Sequence, residues 1–308
     1  MKWVVYSSFD ADGRSTPYAA EQVAAYRALG FEVLIVDTSP FLSDDRKRDW
    51  DAGATRWFQR PNVGHDFGSY RAGAEMLVNE LGLAPQRLDL LLANDSCFGP
   101  FVPLGQVFSH FDEFDREEKR VFGITDSHQI LVHLQSYWIY FRSNVTPLAL
   151  EFLRNMTLAA DREEAIRHGE LAMSEYLRAQ GCVLTAYAPV VEMVSSFAKF
   201  RGSLPSLLEL GARRILKRPK YTLRGDTECL RHLLGLPDKL QYFNPSAAFG
   251  SHLYYQRTVP FIKKNLFKEN VYNDPRIETL GDVATLSNSD VARYLVERRY
   301  RGIRSILR

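Results

Sequence analysis

The sequence predicts an α/β fold with a central, mostly parallel sheet flanked by helices. Short apolar, β-branched runs alternate with stretches of helical periodicity from Lys2 to about Val190, which is the rhythm of βαβ units. The strand-like runs carry little polar alternation, as expected of strands covered on both faces. The clearest helical stretches, Tyr18–Gly30 and Asp66–Gly82, both end on glycine.

The elements follow in order. KWVVYSS (Lys2–Ser8) reads as the first strand and FEVLIVDTS (Phe31–Ser39) as the second. ATRWFQRPN (Ala54–Asn62) is a third. Asp66–Gly82 is a helix with Tyr70, Ala74, Leu77, Val78 and Leu81 on one face. LDLLLAN is the fourth strand, and RVFGIT and SYWIYF are two more. Helices near Leu148–Asn155 and Gly169–Gln180 lead into CVLTAYAPV. Residues 1–195 thus form the α/β core. Residues 196–308 change character: 195–240 are basic and helical in pattern, and 290–308 form a basic amphipathic helix. This tail reads as an extension packed on the same domain.

Composition narrows the class. A chain of 308 residues, 45% hydrophobic and 25% charged, suits a soluble globular protein with a proper core. A net charge of +2 gives no electrostatic footprint for nucleic acid, and none is expected as a partner. Three dispersed cysteines, Cys97, Cys182 and Cys229, argue against a disulfide framework and a cysteine zinc site, and suit a reducing cytoplasm. No stretch is long and apolar enough for a membrane span, and the N-terminus lacks the apolar region of a signal peptide.

In open α/β sheets ligands bind beyond the carboxyl ends of the strands. Asp95 ends the fourth strand, Asp10 and Asp12 follow the first, Asp37 the second, and Asp126 follows VFGIT. Several carboxylates would then line one edge. A carboxylate ending a buried strand needs a cationic partner, and a divalent metal holding a diphosphate is one. Asn94-Asp95-Ser96 is equally good turn chemistry. In RPNVGHDFGSYR, Asn62, Gly64, Asp66 and Gly68 occupy a strand-to-helix turn, where glycine admits close backbone approach and a helix start attracts anions. Asp66 could cap the helix, bind base or ribose, or pair with Arg71. Glu170 and Asp126 are the candidate catalytic carboxylates, since adding a hydroxyl to an activated carbon needs a general base. A solvated, acidic helix start explains Glu170 equally. The aromatic-rich segment Asn244–Phe267 offers His252 as a late metal ligand and Lys263 as a phosphate partner. His133, Gln135 and Ser136 are further polar neighbours of the same ambiguous kind.

The motifs FDADGRSTPY, RPNVGHDFGSYRAG, LLLANDSCFGPF, GITDSHQILVHLQSYWIYF, GELAMSEYLRAQG and NPSAAFGSHLYYQRTVPFIKKNLF occur in the order seen in the rhamnan synthesis F family. The chain resembles that family over roughly residues 3 to 270. The resemblance implies a bacterial, GT-A-like glycosyltransferase with a Rossmann-type core, serving rhamnose-containing cell-wall or O-antigen (lipopolysaccharide) polysaccharides. It puts Asp95 in the metal and diphosphate role, with His252 as second ligand to Mg²⁺ or Mn²⁺. It puts Asn62, Gly64, Asp66 and Arg71 at the nucleotide-sugar, has Asn94 and Ser96 shape the turn that holds Asp95 there, and sets Glu170 on the acceptor side. The usual Asp-x-Asp is reduced here to Asn-Asp-Ser, with one carboxylate. The implied donor is dTDP-rhamnose or a similar nucleotide-sugar, and the acceptor a glycan or lipid-linked glycan. On the residues alone, the basic helix 290–308 could lie on the inner face of the membrane or present a solvated face of a packed terminal helix. Two other classes remain open on the residues alone: a non-catalytic nucleotide-sugar or glycan-binding partner, and a nucleotide-dependent hydrolase.

Overall fold

The fold is taken from a computed structural model that describes residues 1–193, 259–264 and 266. The readings made for 195–240, His252 and 290–308 lie outside those residues.

The described residues build an eight-stranded sheet in the order β3-β2-β1-β4-β8-β6, with β7 and β9 both pairing with β6. The strands are β1 (Lys2–Ser8), β2 (Glu32–Asp37), β3 (Arg56–Gln59), β4 (Asp89–Asn94), β6 (Arg120–Ser127), β7 (His133–Leu134), β8 (Trp138–Phe141) and β9 (Val183–Ala188). A separate two-stranded ribbon pairs β5 (Cys97–Phe98) antiparallel with β10 (Ile262–Lys263). Strands β3, β2, β1 and β4 run parallel, as does the β6–β9 pair. The expectation of a mostly parallel sheet holds, with β8 running against both β4 and β6. Sequence could not reveal that reversal: all four residues of β8 are buried, so its pattern is the same in either direction.

Both faces of the sheet are covered, which explains the unbroken apolar runs. Along β1, Val4 and Tyr6 face one cluster with Val33, Ile35, Leu91 and Phe122. Trp3 and Val5 face the other, with Leu34, Leu90, Leu92 and Phe141. Helices α1 (Pro17–Ala28) and α4 (Leu104–Asp112) cover the first face, and α3 (His65–Glu75), α5 (Thr146–Asn155) and α7 (Ala172–Ala179) the second.

Two predicted helices are subdivided. The one beginning at Asp66 is α-helical to Glu75 and π-helical over Met76–Glu80. The one expected at Gly169–Gln180 begins earlier, with α6 (Arg162–Glu164) and a π-helical turn Ala165–Leu171 before α7. Helices α2 (Asp44–Gly53) and α4 were not anticipated. In α2 the Ser43 hydroxyl accepts from the Arg46 N–H (3.2 Å), and Asp44 and Asp45 sit in the first turn, favourable to the helix dipole. Its two buried side chains are Arg46 and Trp50, so its inward face carries no apolar stripe.

Candidate functional site

The strand order fixes where a site can form. From β1 the chain steps to β2 and β3 on one side, then crosses to β4 on the other. Neighbouring connections leave the sheet in opposite directions here, opening a crevice at the carboxyl ends of β1 and β4. Register places Ser7 opposite Asn94 at that point.

Three polar residues close the crevice floor. Asp66, in the first turn of α3, accepts from the Ser7 hydroxyl through Oδ1 (3.1 Å) and from Asn94 Nδ2 through Oδ2 (2.8 Å). Asn94 Oδ1 in turn accepts from the Ser96 N–H (3.0 Å) and hydroxyl (2.6 Å), an Asx turn. Asn-Asp-Ser is therefore turn chemistry and crevice wall at once. Gly64 precedes α3 with φ +76°, a backbone shape that disfavours a side chain, and a Cβ there would meet Leu158 at 2.9 Å.

Asp95 is buried, 7% exposed, and held from both sides. Its Oδ2 accepts from the Ser8 hydroxyl and the Phe9 N–H, each at 3.1 Å. Its Oδ1 lies 3.6 Å from the Lys264 ammonium. Lys264 reaches it because β10 pairs with β5, immediately after Asp95 and Ser96. The Lys264 N–H donates to the Ser96 carbonyl (2.9 Å), and the Phe101 N–H to the Pro260 carbonyl (2.8 Å). Gly99 permits that approach: its φ is +127°, and a Cβ would stand 2.2 Å from the Pro260 oxygen.

A cleft of about 320 Å³ opens above these groups, at the small end of the range for ligand sites. Asp66, Asn94, Ser96, Gln135, Ser136, Ile166, Glu170, Lys263 and Lys264 line it with His65, Phe67 and Ala165. Glu170 enters from the π-helical turn, a geometry frequent at functional sites. It accepts from the Ser136 N–H (3.2 Å) and from the Ser136 hydroxyl, and its Oε2 lies 3.5 Å from His133 Nε2. His133 Nδ1 is 2.8 Å from the Leu131 carbonyl, so that nitrogen carries a proton and donates.

The two cleft carboxylates are tuned apart. Burial and then the neighbouring Asp95 charge push Asp66 up to about 6, against the pull of Ser7 and Lys263. Burial also opposes charge on Glu170, but His133, Lys263 and Ser136 outweigh it and hold the carboxyl down at about 2. Glu170 is thus a fixed negative charge at ordinary pH, while Asp66 titrates close to it.

Of the residues expected at the site, Asp66, Asn94, Ser96, Glu170 and Lys263 line the cleft; Asp95 stands beneath it, and Gly64 shapes its wall. Asn62 is exposed and is not among the lining residues. Arg71 does not reach the cleft, because it pairs with Glu75 one helical turn on (3.0 Å). Asp126 is committed elsewhere: its Oδ1 accepts from the Val190 N–H (2.6 Å) and its Oδ2 lies 3.3 Å from His128 Nε2. The expected row of strand-end aspartates is also corrected. Asp10 accepts from the N–H groups of Asp12 and Arg14 within its own turn, and Asp12 pairs with Arg14. Asp37 is fully buried and bound by Arg46 (2.7 Å), Trp50 Nε1 (2.8 Å) and the Ser39 N–H (2.8 Å).

Residues not singled out from sequence are Ser7, Ser8 and Lys264. A serine pair ending a buried strand, and a Lys-Lys pair in an aromatic segment, were the signals available.

The metal expectation meets a specific obstacle. Among the described residues no group of three or more His, Cys, Asp or Glu side chains converges to hold a cation. Both oxygens of Asp95 already have partners, one of them an ammonium. The described residues therefore do not fit Mg²⁺ or Mn²⁺, and His252 lies outside them. Among the described residues no helix is long and apolar enough to cross a membrane.

Comparison with known proteins adds two findings. The family described as Rhamnan synthesis protein F matches residues 33–199, just over half of the chain. Two curated relatives, both called Virulence protein VirA, come from Vibrio anguillarum, one of them from strain ATCC 68554 / 775. Each is 25% identical over 228 residues, covering 72% of this chain and 65% of the relative, so the chain spans just under two thirds of their length.

Proposed function

This chain belongs to the rhamnan synthesis protein F family, and on that premise we propose that it is a glycosyltransferase of polysaccharide synthesis, GT-A-like in architecture. It transfers rhamnose or another deoxyhexose from a nucleotide-sugar such as dTDP-rhamnose to a glycan or lipid-linked glycan. The observation that carries this reading is the crevice at the β1/β4 switch point, where Asp66, Asn94, Glu170, Lys263 and Lys264 line one cleft.

In this reading the nucleotide lies along Asp66 and Asn94, and the diphosphate faces Lys263 and Lys264. The acceptor hydroxyl enters beside Glu170. Its oxygen bonds to the anomeric carbon as the carbon–oxygen bond to the diphosphate breaks. The lysine ammoniums stabilise charge gathering on the leaving diphosphate. Glu170 orients the hydroxyl through a hydrogen bond and, being a weak base with its carboxyl held at about 2, receives the proton only as the new bond forms and passes it on to solvent. The Ser136 contacts and His133 fix its orientation.

The test is nucleoside diphosphate release from a donor panel, with and without a lipid-linked acceptor. Acceptor-dependent release that Asp95→Ala abolishes is the expected result. Nucleotide binding with no release from any donor would instead favour a non-catalytic binding partner, and full activity in Asp95→Ala would refute the placement of the site.

A further inference from the structure

We infer that the Lys264 ammonium is the built-in cation of this site, standing beside Asp95 where a divalent ion would be expected, so that nucleoside diphosphate binds without metal. The inference rests on the nucleotide-sugar reading above and specifies how that site holds its phosphates.

Three features support it. The first is the orientation of Asp95. Arg46 is fully buried, paired to Asp37, and donates from Nη2 to the Ser8 hydroxyl oxygen (2.8 Å). Ser8 can then direct its one proton to Asp95 Oδ2. With the Phe9 N–H on the same oxygen, Oδ2 is fixed inward and Oδ1 is left towards Lys264. A metal at Asp95 would have to displace an ammonium or dismantle this chain of donors.

The second is the fixing of Lys264 itself. Its ammonium donates to the Tyr18 hydroxyl (2.7 Å) and lies 4.8 Å from the centre of the Tyr18 ring. Its main chain is pinned to Ser96, and its side chain is only 14% exposed. An ordinary surface lysine loses rotamer freedom when it grips a ligand; here that loss is taken on folding. Tyr18 lies in α1, so the sheet, a helix and the β5–β10 ribbon jointly fix one charge.

The third is the company it keeps. Lys263, next in the chain, also lines the cleft, with its ammonium 5.2 Å from the Tyr137 ring centre. Two lysines consecutive in the chain and both lining the switch-point cleft make an anion cradle that needs no ion from solution.

The experiment is calorimetric titration of the full chain with UDP, GDP and dTDP, in chelator and then in Mg²⁺ or Mn²⁺. The bound nucleotide is expected to show the same affinity in chelator as in metal, within about twofold. Lys264→Met should weaken binding in chelator by about tenfold or more, the worth of a charge-assisted contact. Lys264→Arg should retain most of it, and thermal melts of both variants establish that they are folded. Binding that appears only with metal overturns the inference while leaving the transferase reading standing. Undiminished binding by folded Lys264→Met overturns it as well. No binding of any nucleoside diphosphate under either condition overturns the transferase reading and this inference together.

Discussion

Replacing Asp66 by asparagine isolates the charge that the cleft keeps at a cost. The amide is isosteric with the carboxyl. Its oxygen can still accept from Asn94, and its NH₂ can donate to Ser7 once that hydroxyl rotates, so both contacts survive without charge. A carboxyl raised from 3.8 to about 6 sets its charged form back by about 3 kcal/mol. Asp66 is half-buried, and screening on its cleft side leaves about 2 kcal/mol. The sign follows from proton counting. Between 3.8 and about 6 the folded state holds a proton that the unfolded state has released, so rising pH favours unfolding. Stability linked to Asp66 is complete below 3.8 and is lost as pH passes about 6. Urea denaturation of both proteins from pH 4 to 8 should therefore show little difference at pH 4. By pH 7.5 Asp66→Asn should lead by about 2 kcal/mol, or about 5 °C in Tm. Taking the difference between the two proteins cancels the opposing titration of Glu170. Parallel stability curves across pH 4–8 would refute the reasoning, because Asp66 would then carry no penalty for ionising.

Glu170 works in the opposite direction. Its carboxyl is lowered from 4.5 to about 2, so the stability it contributes is present above 4.5 and lost on acidification towards 2. Glu170→Gln should be about 2 kcal/mol less stable at pH 7, with the gap closing in acid denaturation. It should also cut sugar transfer by about a hundredfold while nucleotide affinity stays within a few-fold. Arg46→Met strands the buried Asp37 carboxylate and should cost about 3–5 kcal/mol, read as a lower urea midpoint. Gly99→Ala forces a Cβ against the Pro260 oxygen. It should release residues 259–264 and cost about 1–3 kcal/mol, with nucleotide affinity falling in step.

How much of this was legible in sequence depended on how locally each feature is specified. Strand β1 is legible at Lys2–Ser8 because the six residues after Lys2, all buried, announce a strand without context. Helix α2 was missed because Arg46 and Trp50 face inward, and its reason to fold is a buried ion pair with a strand behind it. Asp66 and Asp95 stand out in the sequence because they begin or follow elements at the carboxyl edge of the sheet, and the structure places one in the cleft lining and the other beneath it. Arg71 was misplaced because its position on α3 gave no sign that Glu75, one turn on, would take it. The sequence does not distinguish Lys264 from Lys263, because which of two adjacent lysines meets Asp95 depends on a two-residue pairing between distant segments.

That pairing also ties together parts of the chain that are far apart in sequence. The stretch matching the family, residues 33–199, includes β4 and Asp95 but omits β1 with Ser7 and Ser8, and both lysines. A fragment cut to those limits would lose the serine donors and the lysine charges of the crevice together. During synthesis the sheet can assemble as β9 leaves the ribosome, yet the crevice stays without its cations until Lys264 has emerged and Pro260 has docked on Gly99. The sheet therefore precedes the ribbon that brings Lys264 to Asp95.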